Sequence, residues 1–318
     1  MTIDIEEETS SLPMPPPGYC HQFHADVHAL RGDFRAPILQ RIEPHIPITL
    51  NDRRGGHLTR YIEDVNIEGL IFVKRAFARV SGSISEKHGA WVTLAATVLE
   101  GVNFLEVLTA DRVVAQVSTE HAFRDGHVPR VSFLGTKFEN LKINGIPVGI
   151  EYDFDVCGPK PARDQPYNTN ETFTAQARER MREIANSEFL FGRARTNYAG
   201  VQRAMSQPFG ETIGSNITCS VVRRIIIDEV REQLPGVQTV GHLLAIPDFG
   251  VVALGEVIVG LENPTPITPR GPICESTNGN PQRLSNYFEL TMLNMELGCV
   301  GTGSVQVGKT KTNGNTNP

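Results

Sequence analysis

The chain has 318 residues, of which 40% are hydrophobic and 21% charged, a composition typical of folded globular proteins. Its formal net charge is −6, which disfavours nucleic-acid binding, because nucleic-acid binders usually concentrate lysine and arginine on one face. The longest apolar runs, such as residues 91–99, have the length of a strand and not the roughly 20 residues that cross a bilayer. We therefore expect a soluble protein with no transmembrane segment and no nucleic-acid partner.

Both ends of the sequence are predicted to be disordered tails, at residues 1–21 and 311–318. The first tail opens with acidic residues and runs into a proline-rich stretch at residues 13–18, which favours neither a helix nor a strand ladder. No apolar signal segment follows the N-terminus, which predicts a cytoplasmic location.

Residues 22–158 are predicted to form a β region. Phe23, Ala25 and Val27 alternate with polar residues, and this period of two indicates a half-buried strand. Asn-Gly at residues 144–145 lies between two further alternating runs and favours a tight hairpin, because both central residues of a type I′ turn need positive φ. Strand-like runs cover residues 60–67, 70–79, 91–99, 105–120, 130–134, 137–143 and 147–156.

Residues 159–215 are predicted to be a linker followed by a helical insertion. The stretch opens with prolines and then changes to good helix formers, with helix expected near residues 171–206. Phe173, Ala177 and Met181 follow the three-and-four spacing of one helical face.

Residues 216–310 are predicted to return to strands that complete the same assembly. This part alone offers about four convincing strands, and so small a sheet buries little surface unless it packs against something else. The fold class is therefore mainly β: an antiparallel, β-sandwich-like assembly with one helical insertion. Two independent domains are the alternative.

The predicted core consists of large apolar residues on or beside the predicted strands. They are Trp91, Leu94, Phe104, Leu108, Val113, Phe133, Phe138, Leu141, Phe249, Leu254, Leu290 and Leu293.

A formal phosphate-loop match lies near the C-terminus, from Gly303 through Gly308, Lys309 and Thr310. A working phosphate loop needs a helix after it, so that the amides at the helix N-terminus meet the phosphates. Eight polar residues follow Thr310, which is too little for that helix. We expect a last strand here and no nucleotide site.

His24, Asp26 and His28 are the candidate metal ligands, since they share one face of a predicted strand. Two imidazoles and a carboxylate suit zinc or iron, but the first and last of three same-face residues lie about 13 Å apart at ~3.3 Å per residue. A solvated polar face is the preferred interpretation. Glu151, Asp153 and their neighbour Asp155 form a similar acidic strand face, for which calcium binding is the less favoured interpretation.

The five cysteines are odd in number and match no zinc pattern. We expect reduced thiols. A bridge between Cys219 and Cys299 would form only if the chain reached an oxidising compartment.

Four segments resemble the bacterial choice-of-anchor P family of β-rich domains. They are residues 103–110, residues 138–148, residues 246–256, and residues 288–293 leading to 305–308. The resemblance implies a β-rich fold and, as the alternative to the cytoplasm, a cell-surface or extracellular location. It carries over no catalytic residue.

The function expected from these observations is non-enzymatic. We expect a binding or structural protein that recognises an unknown protein partner or self-associates, with no cofactor and no catalytic residues. The alternative is a hydrolase or metal-dependent enzyme with its site near His24–His28 or in the loop at residues 262–284. An enzyme should show a pocket lined by titratable groups, whereas a structural protein should show an exposed flat or apolar surface.

Overall fold

A computed structural model of the chain describes residues 20–36, 39–123, 127–162, 165–207, 216–262, 284–298 and 302–317. Across these residues the fold is mainly β, its paired strands run antiparallel, and three helices are present. The predicted fold class is therefore confirmed. None of the helices in this part of the chain is long and apolar enough to span a bilayer.

The secondary-structure elements are as follows. The strands are β1 (Cys20–Ala36), β2 (Gln40–His45), β3 (Ile48–Asp52), β4 (Gly56–Ile67), β5 (Ile71–Ser85), β6 (Ala90–Phe104), β7 (Leu108–Ala122), β8 (Arg130–Ser132), β9 (Lys137–Glu139), β10 (Lys142–Ile143), β11 (Ile146–Pro147), β12 (Gly149–Tyr152), β13 (Ile217–Ser220), β14 (Val222–Ile226), β15 (Gln238–Val240), β16 (Leu243–Ile246), β17 (Gly250–Glu262), β18 (Ser285–Leu297), β19 (Thr302–Thr312) and β20 (Asn315–Asn317). The helices are α1 (Glu171–Ala185), α2 (Gly192–Met205) and α3 (Asp228–Gln233), preceded by a 3-10 turn at Tyr167–Thr169. The two longer helices lie within the predicted insertion.

Two large sheets stack face to face. Ten of the described strands form the first sheet, in the order β15-β16-β17-β18-β19-β1-β2, with β13 on β17 and with β3 and β20 on β1. Eight form the second sheet, in the order β11-β10-β7-β6-β5-β4, with β8 and β9 on β7. Strand β1 packs on β5 and β6, and β19 packs on β6 and β7, so the sheets share a core.

Strands from both sides of the helical insertion meet in the first sheet. Strand β1 pairs with β19, from Ala25 opposite Thr312 to Ala36 opposite Thr302. Strand β19 in turn pairs with β18, and β18 with β17. The C-terminal strands thus lie beside the first strand of the chain.

Helix α1 packs its apolar stripe on the edge of the first sheet. Phe173, Ala177, Met181 and Ile184 are buried, and α1 contacts β13. The helix begins after Asn170, whose side chain accepts a hydrogen bond from the backbone amide of Phe173 at 3.1 Å, an N-cap that satisfies one of the free amides of the first turn.

Residues with positive φ invert the side-chain alternation in both sheets. In β6 the buried positions are odd-numbered from Trp91 to Leu99 and even-numbered from Val102, and Gly101 between them has a φ of +60°. Gly308 in β19 has a φ of +62° and marks the same inversion there. The residue pairing keeps one register on both sides of Gly101 and of Gly308. The left-handed residue therefore changes the face to which the side chains point and not the pairing, and glycine tolerates a positive φ because it has no Cβ.

Ten of the twelve predicted core residues are buried, while Leu94 and Phe138 are half-buried. Leu94 lies three positions from Trp91 in β6, and since side chains alternate along a strand, the two point to opposite faces. Phe138 lies in β9, a three-residue strand at the margin of β7. A short marginal strand covers its side chain only in part.

The ends of the chain depart from the predicted tails. Strand β1 begins at Cys20, inside the predicted tail at residues 1–21, and residues 1–19 lie outside the described residues. Strand β19 continues to Thr312 and β20 pairs with the start of β1, where the prediction placed a tail at 311–318. Backbone pairing to β1 orders this polar end, although it lacks an apolar run.

Candidate functional site

The candidate metal ligands lie on β1, but the structure joins only two of them. His24 Nε2 lies 3.1 Å from Asp26 Oδ2; burial opposes protonation of His24, but the hydrogen bond and charge of Asp26 raise its pKa. His28 lies opposite Lys309 of β19, and burial together with the charge of Lys309 lowers the pKa of His28 to about 4. Among the residues described, no three His, Cys, Asp or Glu side chains are grouped so that they could hold a metal ion.

The phosphate-loop match is a strand, as predicted. Gly303 to Thr310 lies within β19, and Lys309 Nζ lies 2.7 Å from Glu289 Oε1 on the neighbouring strand. An extended backbone cannot wrap a phosphate, and the lysine is already paired.

Other predicted features lie partly outside the described residues. Residues 263–283, which include most of the candidate loop at 262–284, and Cys299 are not among them. Cys219 is a buried free thiol, as is Cys157. The predicted acidic strand face is wrong beyond Glu151, because β12 ends at Tyr152 and Asp153 and Asp155 lie after it. Glu151 lies opposite Arg224 of β14, and Asp153 pairs with Arg180 of α1 at 3.5 Å.

Two of the cavities in the described part of the chain are lined by polar or titratable side chains. One of about 250 Å³ lies between hairpin ends and has one acidic residue, Glu106, in its lining. The other, of about 120 Å³, lies beneath α1 and is lined in part by Arg180, Arg223 and His242. Both are smaller than the ~300–1,000 Å³ typical of small-molecule sites.

A buried polar cluster adjoins the second cavity. The hydroxyl of Tyr198 on α2 donates a 2.9 Å hydrogen bond to Glu256 Oε1 on β17, and Asn294 Nδ2 of β18 donates to Glu256 Oε2 at 3.1 Å. His242 Nε2 lies 3.8 Å from Glu256 Oε1. Burial raises the pKa of Glu256, but His242, Asn294 and Tyr198 together lower it below its usual value, so the carboxylate is charged and its neighbours hold α2 on the sheet.

The outer edge of β4 is an accessible feature of the described residues. Within the described residues β4 pairs only with β5 and ends its sheet. Every residue from Gly56 to Tyr61 is exposed, with Leu58 at 44% and Tyr61 at 68%. The free edge therefore presents unpaired backbone amides and carbonyls together with apolar side chains, a surface that can accept another strand.

An apolar row crosses the outer face of the second sheet and ends at this edge. The register places Tyr61 opposite Phe77, Phe77 opposite Val98, and Val98 opposite Val114. The rings of Tyr61 and Phe77 stack at 6.3 Å. Directly beside this row, Glu63 lies opposite Arg75. The sequence shows the alternation of polar and apolar residues in β4, but it does not show that β4 is an edge strand. The edge position depends on which distant strands pair with each other.

One family model matches the chain. It covers residues 21–260 and carries the description Domain of unknown function (DUF8256). The chain belongs to this family. No curated protein and no solved structure matches it.

The family match includes both structural features that stand out. Strand β4 lies inside it, as do Tyr198, His242 and Glu256 of the buried cluster, whereas Asn294 lies beyond it. The DUF8256 description names no activity, so the function is argued from the geometry.

Proposed function

We propose that this member of the DUF8256 family is a non-enzymatic structural protein that self-associates through the edge strand β4. The observation that supports this is the twelve-residue strand Gly56–Ile67, whose outer edge has no partner strand in the described structure and whose first six residues are all exposed. Strand addition at a free edge is a common way for β proteins to join.

The composition of β4 supports association. Natural edge strands are usually guarded by lysine, proline or short length, but β4 is long and contains neither lysine nor proline. Its charges are also divided along its length, with Arg60 in the first half and Glu63 and Asp64 in the second. An antiparallel copy of the same strand would place the basic half beside the acidic half, which makes the edge complementary to itself.

The enzyme alternative receives less support from the described residues. The His24–Asp26 pair is bound to Asn313 and lies on a strand face, and the titratable groups around the cavity beneath α1 enclose only about 120 Å³. Metal analysis of the purified protein tests this alternative directly. A stoichiometric metal lost in a variant with Ala at both His24 and Asp26 would favour it.

Sedimentation velocity over a range of concentrations tests self-association. We expect a species of at least twice the chain mass of 35.0 kDa, which becomes monomeric when both Leu58→Lys and Tyr61→Lys are introduced. Like charges and solvated lysines at the edge oppose strand pairing.

The matched control is Leu134→Lys, because Leu134 is also exposed, at 64%, but lies in a turn away from β4. It should leave the mass unchanged. A wild-type protein that stays monomeric at every concentration would refute the proposed function.

A further inference from the structure

The outer edge of β4 is compatible with two kinds of assembly. Pairing with a different edge strand of the next copy would be heterologous and would extend into a filament, whereas pairing with β4 of a second copy would close into a two-fold dimer. The division of charge along β4, with Arg60 in its first half and Glu63 and Asp64 in its second, favours an antiparallel copy of the same strand. We infer that β4 pairs antiparallel with β4 of a second copy about a two-fold axis at Tyr61, an inference that rests on the proposed function.

The two faces of β4 limit the register. His57, Thr59, Tyr61 and Glu63 lie on the outer face, since the alternate positions oppose the buried residues Gly82, Val80, Ala78 and Ala76 of β5. Directly opposed residues of a continuous antiparallel sheet share a face. Each outer residue must therefore oppose another outer residue of the second copy, which excludes half of the registers.

Charge and apolar contacts select among the remaining registers of the β4 pair. An axis at Arg60 would oppose two arginines, and an axis at Glu63 would oppose two glutamates, and like charges directly opposed are destabilising. An axis at Ile62 would place the ring of Tyr61 against a carboxylate. An axis at Tyr61 opposes no like charges.

The axis at Tyr61 also extends the apolar row. Tyr61 already stacks on Phe77, and the register would continue this row as Phe77, Tyr61, Tyr61 and Phe77 across the two copies. Thr59 would then oppose Glu63, and Arg60 would oppose Ile62. Cross-strand aromatic pairs of this kind add to sheet stability.

Single-cysteine cross-linking in the full-length chain tests the register. Directly opposed Cα atoms lie about 4.5–5.5 Å apart, within the 4.4–6.8 Å that a disulfide spans, whereas diagonal neighbours lie about 7–8 Å apart. Under mild oxidation Tyr61→Cys should give a covalent dimer on a non-reducing gel. Thr59→Cys and Glu63→Cys should each run as an uncross-linked monomer on this gel when oxidised alone. Mixed together, the two variants should give a covalent mixed dimer.

The controls separate this inference from the proposed function. The unsubstituted chain, with its own five cysteines, sets the background of disulfide formation, and sedimentation velocity gives the assembly size. A dimer abolished by lysines at Leu58 and Tyr61 but not cross-linked by Tyr61→Cys would refute the register alone. A mass that grows beyond a dimer with concentration would refute the closed dimer alone, and a wild-type monomer would refute the proposed function as well.

Discussion

Tyr198 on α2 and Glu256 on β17 are joined by a buried 2.9 Å hydrogen bond from the tyrosine hydroxyl to Oε1. The two residues lie 58 positions apart in the sequence, and the carboxylate also accepts from Asn294. This bond connects the helical insertion to the centre of the first sheet.

Tyr198→Phe should destabilise the fold by about 1.5–3 kcal/mol, the usual net contribution of a hydrogen bond to a charged group. The loss arises because Glu256 stays buried with one partner fewer. Urea unfolding at neutral pH measures it. The control is Tyr287→Phe, whose hydroxyl contacts Asn216 at 3.1 Å near the surface and should cost no more than ~1 kcal/mol. Equal losses in the two variants would contradict a special role for the Glu256 cluster.

Buried hydroxyls between the sheets should weaken the fold. Thr97 of β6 and Thr119 of β7 are both 0% exposed, and neither hydroxyl has a hydrogen-bond partner among the residues that the structure describes. An unsatisfied buried polar group costs about 1–3 kcal/mol, so Thr97→Val and Thr119→Val should each raise the midpoint of thermal unfolding.

Thr136→Val is the matched control for these two variants. Thr136 is 1% exposed, but its hydroxyl donates to the carbonyl of Gln116 at 3.0 Å and accepts from the amide of Gln116 at 3.1 Å. This substitution should lower the midpoint. A fall in all three variants would mean that the hydroxyls of Thr97 and Thr119 are satisfied in solution.

Stability should fall in mild acid because of buried neutral histidines. Burial lowers the pKa of His121 to about 3 and holds the pKa of His21 well below its usual value, and the rings of the two residues are 4.8 Å apart. In the unfolded chain a histidine titrates near ~6.5. Below that pH the unfolded state therefore binds more protons than the folded state, and the free energy of unfolding must fall as pH falls.

Urea unfolding between pH 8 and pH 4 measures this slope. His28, whose pKa is lowered to about 4, contributes to the same slope. His121→Leu removes one of these three proton-binding differences, so its stability should depend less steeply on pH below 6.5, while its pH dependence between 7 and 8 should match that of the wild type. A wild-type free energy that stays constant from pH 7 to pH 4 would contradict the neutral, buried state of both imidazoles.

Lys309→Ala should not affect nucleotide affinity, because Lys309 lies in strand β19 and pairs with Glu289. Calorimetric titration with ATP should show no binding that depends on this lysine. Lys311→Ala is the matched control, since Lys311 occupies the same strand and pairs with Glu262 at 2.6 Å, and both variants should lose similar, small amounts of stability. ATP binding abolished only by Lys309→Ala would restore the phosphate-loop interpretation.

Neither β region should fold alone, because β1 pairs with β19 along most of its length. Fragments covering residues 1–160 and 212–318 should each lack a sharp thermal transition, whereas the whole chain should melt in one. Cooperative unfolding of either fragment would favour two independent domains.

The sequence by itself determined the class of the fold and the positions of α1 and α2, whereas the short helix α3 lies in a region that was predicted to form strands. The apolar spacing of Phe173, Ala177 and Met181 predicted α1, and alternation predicted the strands, because both signals come from neighbours along the chain. The same local reasoning showed that Lys309 belongs to a strand.

Tertiary structure alone decided where the alternation inverts and which residues meet. Side chains alternate along a strand, so Leu94 and Trp91, three positions apart, cannot both point into the core. The inversion at Gly101 depends on the positive φ of this residue, which glycine permits but does not require. The edge position of β4 follows from strand order, and the meeting of Tyr198 with Glu256 follows from the packing of α2. These relationships join residues far apart in the chain, so they depend on the free energy of the whole assembly and not on any local pattern.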